Sequence, residues 1–140
     1  MRLLVLASIV ALSLSLVPVT RSQTKPNQGS YALVAVRLVN TAQSYARRNG
    51  GKYLSLEQLI STGALKQAAE MNSDFNSAYT KLNVQKSGAL LEGFELAMLV
   101  SSDGSRYELS MNNTKESCGT AYFTDQRGLI YTGKALGCSA

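Results

Sequence analysis

Histidine is absent from this chain, and so is tryptophan. Without histidine there is no Ser-His-Asp triad, no Cys-His pair and no imidazole ligand for a metal, which removes the common routes to nucleophilic and zinc chemistry. Glycine-rich phosphate loops, nucleophile elbows and paired zinc-ligand spacings are missing as well. Cysteine occurs only at Cys118 and Cys138, and neither has a basic neighbour in sequence to lower its thiol pKa. Charge is sparse too. The formal net charge is +5, but Lys52, Lys66, Lys81, Lys86, Arg106 and Lys134 stand apart and only Arg47 and Arg48 are adjacent, so no basic cluster marks a nucleic-acid surface.

What is present begins with MRLLVLASIVALSLSLVPVTRSQ. Basic Arg2, an apolar run from Leu3 to Val19, and small residues at Thr20 and Ser22 are the layout of an export signal cleaved before Gln23. The other reading is an uncleaved anchor, for which the run is short and interrupted by serines and Pro18. No cysteine follows the run to take a lipid. The chain then divides into a signal peptide at 1–22, a flexible leader at 23–29 holding Pro26 and Gly29, and one domain at 30–140. Cleavage takes away Arg2 and Arg21. The expected location is periplasmic or secreted, with the membrane involved only if the segment is retained. In an oxidising compartment Cys118 and Cys138 are expected to form one disulfide, closing a loop of about twenty residues worth about 3 kcal/mol by chain entropy. A reactive or metal-binding thiol pair is the alternative.

Tyr31, Val34, Leu38, Ala42 and Tyr45 recur at helical spacing, with Ala35 and Thr41 beside them, and predict an amphipathic helix of about four turns. Ser30 is placed to cap it, and Asn49-Gly50-Gly51 to end it beyond Arg47-Arg48. Ser55-Leu56-Glu57-Gln58 fits a capping box that starts a short second helix. Leu65, Ala68 and Ala69 allow another turn or two, and 72–88 reads as a loop. After Gly93 the period shifts to two. Phe94, Leu96, Met98 and Val100 alternate, Asp103-Gly104 turns the chain, and Tyr107, Leu109 and Met111 alternate on the return. A second strand pair, 121–124 and 129–132, is joined through Asp125-Gln126-Arg127-Gly128. The expected fold is therefore α+β, with the long helix covering the apolar face of a four-stranded antiparallel sheet.

AVRLVNTAQSYARRNGGKYLSLEQL (Ala35 to Leu59), YELSMN (Tyr107 to Asn112) and YFTDQRGLIY (Tyr122 to Tyr131) together resemble the globular part of type IV pilin-like proteins, including type II secretion pseudopilins. The resemblance spans roughly residues 30–138 and is carried by the helix-Gly-Tyr-Leu order and by Phe123, Asp125, Gly128 and Ile130. It implies a long helix laid on a four-stranded sheet, a cysteine pair around the last segment, and work done by contact with other pilus, secretion or envelope proteins. This chain departs from the family by lacking a Gly-Phe-type processing site and an acidic residue in its apolar run. A polar break at 20–29 also separates that run from the amphipathic helix. An exported pilin-like domain without the filament-building half is expected.

Candidate chemistry is thin. Glu92 with Glu95, Asp103 with Glu108, and Glu116 with Asp125 are the acidic pairs available, and a small hydrolase would rest on Glu92 and Glu95. Asp103 and Asp125 suit their own turns better. The final loop offers one carboxylate, Asp125, so no calcium site or other cofactor is expected. Most tyrosines fit core positions. Tyr79, in the poorly patterned stretch, does not, and Tyr79, Lys81 and Lys86 are the candidate partner contacts. The reading is a non-enzymatic contact module with no small-molecule substrate; binding of DNA or an acidic polymer is the alternative.

Overall fold

The computed structural model describes residues 28–85, 90–134 and 137–138. The expected signal and most of the leader, and Lys86, lie outside the described residues. The elements run α1 (Gln28–Gly50), α2 (Leu56–Ser61), α3 (Ala64–Ala69), α4 (Ser73–Tyr79), β1 (Phe94–Val100), β2 (Tyr107–Asn113), β3 (Ala121–Asp125) and β4 (Ile130–Gly133). The class is α+β, and the strands form one antiparallel sheet in the order β1-β2-β3-β4. Among the described residues no helix is long and apolar enough to cross a membrane.

The period-two stretches became strands because each places one apolar set on a single face. Phe94 and Leu96 of β1, Tyr107, Leu109 and Met111 of β2, and Tyr122 of β3 are buried in the same core cluster as Leu38, Val39, Leu59 and Leu65. Register runs from Phe94 opposite Asn113 to Val100 opposite Tyr107. The turn between them is held by Asp103, whose Oδ1 accepts from the Ser101 hydroxyl at 2.6 Å and the Ser105 N–H at 2.9 Å. Gly104 supplies its positive φ of 69°.

At its start α1 already includes Gln28, so Ser30 stands inside the helix and does not cap it. At its end Gly51 takes a φ of 73° and donates its N–H to the Arg47 carbonyl at 3.0 Å. Tyr53 then donates its N–H to the Gly104 carbonyl at 2.9 Å, tying the chain after α1 to the β1–β2 turn. A Cβ on Gly104 would lie 2.9 Å from the Lys52 Cβ, so the approach needs glycine for space as well as for its φ. The capping box forms: Ser55 Oγ accepts from the Gln58 N–H at 3.2 Å, and Gln58 Oε1 accepts from the Ser55 N–H at 2.9 Å.

Two further expectations need correction. The stretch expected as a loop from Asn72 contains α4, whose first turn is capped by the Asn72 side chain accepting from the Phe75 N–H at 2.8 Å. Seven residues are too few to show a clear helical period. The buried arc of α1 is also wider than expected and turned by about one residue. Leu38, Ala42 and Ala35 are buried, but Tyr31, Val34 and Tyr45 are only half-buried, while Ala32, Val36, Val39, Gln43 and Ala46 are buried as well. The reason is that α1 also meets α3 and α4, and alanines at 32, 35, 42 and 46 let helices approach closely.

Cys118 and Cys138 form a disulfide with Cα atoms 5.5 Å apart. Reducing it, or replacing both cysteines with serine, is expected to lower the unfolding free energy by at most about 3 kcal/mol through the freed denatured chain. Thermal midpoints with and without reductant check this; identical midpoints would show that the bridge contributes nothing to stability.

Candidate functional site

Strand pleating leaves the odd-numbered side chains of β1, and their cross-strand partners, on the face turned away from the core. One row crosses the sheet as Ala97, Ser110, Phe123 and Tyr131, and a second as Leu99, Glu108 and Asp125. This outer face is unusually apolar for a wet surface. On it Leu99 is 72% exposed, Tyr131 48% and Phe123 43%, three of the five large exposed hydrophobic side chains among the described residues, and Leu129, just before β4, is 57% exposed. The fifth, Met71, stands alone after α3. A shallow depression of about 310 Å³ opens on this face, lined by Leu99, Ser110, Phe123, Asp125, Arg127 and Tyr131.

Its polar side is a tight local pair. The Arg127 guanidinium reaches Asp125 Oδ2 at 2.7 Å through Nη2 and at 2.9 Å through Nε, and the Arg127 N–H donates to Oδ1 at 2.9 Å. These bonds hold the Asp125 carboxyl below its ordinary pKa and push Arg127 higher. Glu108 lies opposite Asp125 in the ladder and has no charged partner of its own among the described residues. Two like charges therefore sit side by side, one neutralised and one not.

Beneath the sheet, a buried polar side chain of α1 organises the other side. Asn40 donates to Thr124 Oγ1 at 3.0 Å and to the Gly128 carbonyl at 3.2 Å, and accepts from the Tyr107 hydroxyl. The Tyr107 ring packs tilted at 60° against Tyr53, their centroids 4.9 Å apart, and Tyr53 in turn has the Arg47 guanidinium 5.5 Å from its ring centroid. Burial pushes the Tyr107 phenol above its ordinary pKa, helped by the nearby Tyr53 and Asp125. Through Asn40, α1 fixes β3 and the Asp125–Gly128 turn, and hence the position of Phe123 and Arg127 on the outer face.

The acidic candidates do not converge. Glu92 pairs with Lys115 at 2.9 Å in a fully wet setting, and that hydrogen bond lowers its pKa, the wrong direction for a general acid. Glu95 projects from β1 into solvent opposite Asn112. Asp103 is held below its ordinary pKa by the Ser101 hydroxyl and the Ser105 amide within its own turn. Among the described residues no three Cys, Asp or Glu side chains gather in a way that could hold a metal ion.

Of the expected partner contacts, Tyr79 is half-buried at the end of α4 and packs against the core, which gives this aromatic a structural role. Lys81 is exposed just beyond it, and Lys86 lies outside the described residues. The outer-face residues escaped the sequence reading, although a signal existed. Ala97-Met98-Leu99-Val100 breaks strict alternation, so one large apolar side chain in it had to face water. No family model matches the chain, and no curated protein and no solved structure matches it.

Proposed function

We propose that this protein is an exported, pilin-like, non-enzymatic module that works by protein contact in the cell envelope, with α1 as the rigid backing of the sheet. Contact with pilus or type II secretion components is the setting this reading names. The observation that carries it is the outer sheet face, where Leu99, Phe123 and Tyr131 present apolar surface around a depression with a polar rim. Apolar surface gathered this way on one rigid face is what a protein partner buries. Glu108 on the same face, with no charged partner among the described residues, disfavours DNA or an acidic polymer there.

Photo-crosslinking in cells that export the protein tests the reading. A crosslinker in place of Phe123 or Tyr131 is expected to capture a defined envelope protein, while one in place of exposed Lys66 or Glu70 captures none. Equal capture from all four positions, or none from the sheet face, would remove this surface as the contact. Salt-dependent retention of the protein on DNA would favour the polymer reading instead.

A further inference from the structure

Exposed strand edges are templates for pairing, and proteins usually protect them with short length, lysine, proline, bulges or cover. At one edge β4 has only four residues and is followed by the segment that Cys138 ties back to Cys118. At the other edge stands β1, seven residues reading FELAMLV, with Glu95 as its sole charge. Hydrogen bonding fixes which of its main-chain groups are free. The Ser101 N–H donates to the Arg106 carbonyl at 3.0 Å and the Thr114 N–H to the Gly93 carbonyl at 2.9 Å, so the odd-numbered residues between them exchange bonds with β2. The main-chain groups of Phe94, Leu96, Met98 and Val100 then point the other way. Phe94 is covered, because Leu91 bridges it and accepts from its N–H at 2.9 Å. From Leu96 to Val100 no main-chain partner occupies the edge among the described residues.

The middle of that open stretch is Met98. We propose that the edge of β1 pairs with the same edge of a second copy of this chain, antiparallel and two-fold about Met98, joining the two sheets into one. The main-chain parity allows this register, since Met98 then exchanges its outward N–H and C=O with Met98 of the second copy. The side chains are self-complementary in it. Leu96 meets Val100 on the inner side, and exposed Leu99 meets Ala97 on the outer side. Glu95 lies opposite Ser101, so the one charge of the strand meets no like charge. The pairing also brings the two outer faces side by side. It goes beyond the contact reading above, because it needs no envelope partner and uses the strand edge, with Phe123 and Tyr131 left free.

Charge swapping on the full chain tests the register, because Ala97 and Leu99 both point into solvent in one copy. Sedimentation velocity over a concentration series is expected to show a reversible dimer. The A97K/L99K protein places like charges opposite each other twice by symmetry, and its dissociation constant is expected to rise about tenfold or more over that of A97K/L99E, where the same positions attract. Circular dichroism spectra of both should match the parent, and F123S should dimerise as the parent does. A parent protein that stays monomeric at every concentration, or two double variants that associate equally, would overturn the proposal. Loss of envelope crosslinking with dimerisation intact would instead count against the contact reading alone.

Discussion

Gln43→Leu is expected to lower the unfolding free energy by about 4 kcal/mol, although it replaces a polar side chain with an apolar one of similar size in a fully buried site. Gln43 acts as a main-chain partner. Its Nε2 donates to the Leu54 carbonyl at 2.6 Å, and its Oε1 accepts from the Leu54 N–H at 3.0 Å. A second N–H reaches the Met98 sulfur at 3.4 Å. Leucine satisfies neither group of Leu54, and each orphaned main-chain group costs roughly 1 to 3 kcal/mol. This bond pair is also why α2 follows α1 so closely: it anchors the connecting segment to the side of the helix. Urea denaturation measures the loss, and a change below about 1 kcal/mol would mean that water reaches Leu54 in its place. Gln43→Glu sharpens the test. Burial raises the folded pKa of the new carboxyl above its unfolded value near 4.3. Protonated, it can donate to the Leu54 carbonyl, and ionised it cannot. Relative to the parent, the stability of this variant should therefore be highest below pH ~4 and fall as pH rises through the raised folded value.

Asn40→Leu is expected to cost about 3 to 4 kcal/mol, since it leaves the Tyr107 hydroxyl, the Thr124 hydroxyl and the Gly128 carbonyl short of a partner together. Tyr107→Phe should cost only about 1 kcal/mol, because Asn40 keeps its other two partners. The double variant should lose less than the sum of the two, as expected for residues in one network. Tyr107 also gives a pH signature. Its folded pKa is raised by burial, so its contribution is complete below the unfolded phenol value near 10 and is lost as pH rises above that toward the folded value. Unfolding curves from pH ~8 to ~11 should fall more steeply for the parent than for Tyr107→Phe. Tyr122, whose phenol burial also pushes up, is common to both curves and cancels in their difference. Parallel curves would show that the Tyr107 phenol is not sheltered in solution.

The same two residues show where the reading of the sequence stopped. Asn40 and Gln43 look like the polar flank of an amphipathic helix, and helical spacing alone assigns them to solvent. They are buried because α1 is enclosed by α3 and α4 as well as meeting β2 and β3, and their amides are satisfied by groups more than ten residues away. Phe123 raised the converse problem. With Tyr122 and Thr124 facing inward, the pleat turns this aromatic out.

From the sequence alone came the features whose causes are local: the end of α1 at Gly50-Gly51, the Ser55–Gln58 capping box, both hairpins with their turns, and the pairing of the only two cysteines. Each depends on groups a few residues apart or on an alternation that one strand carries by itself. Only the tertiary structure decided which arc of α1 is buried, that 73–79 is helical, which sheet face is wet and which strand edge is open. Those depend on what packs against each element, and a side chain's solvent is set by neighbours that are distant in the chain.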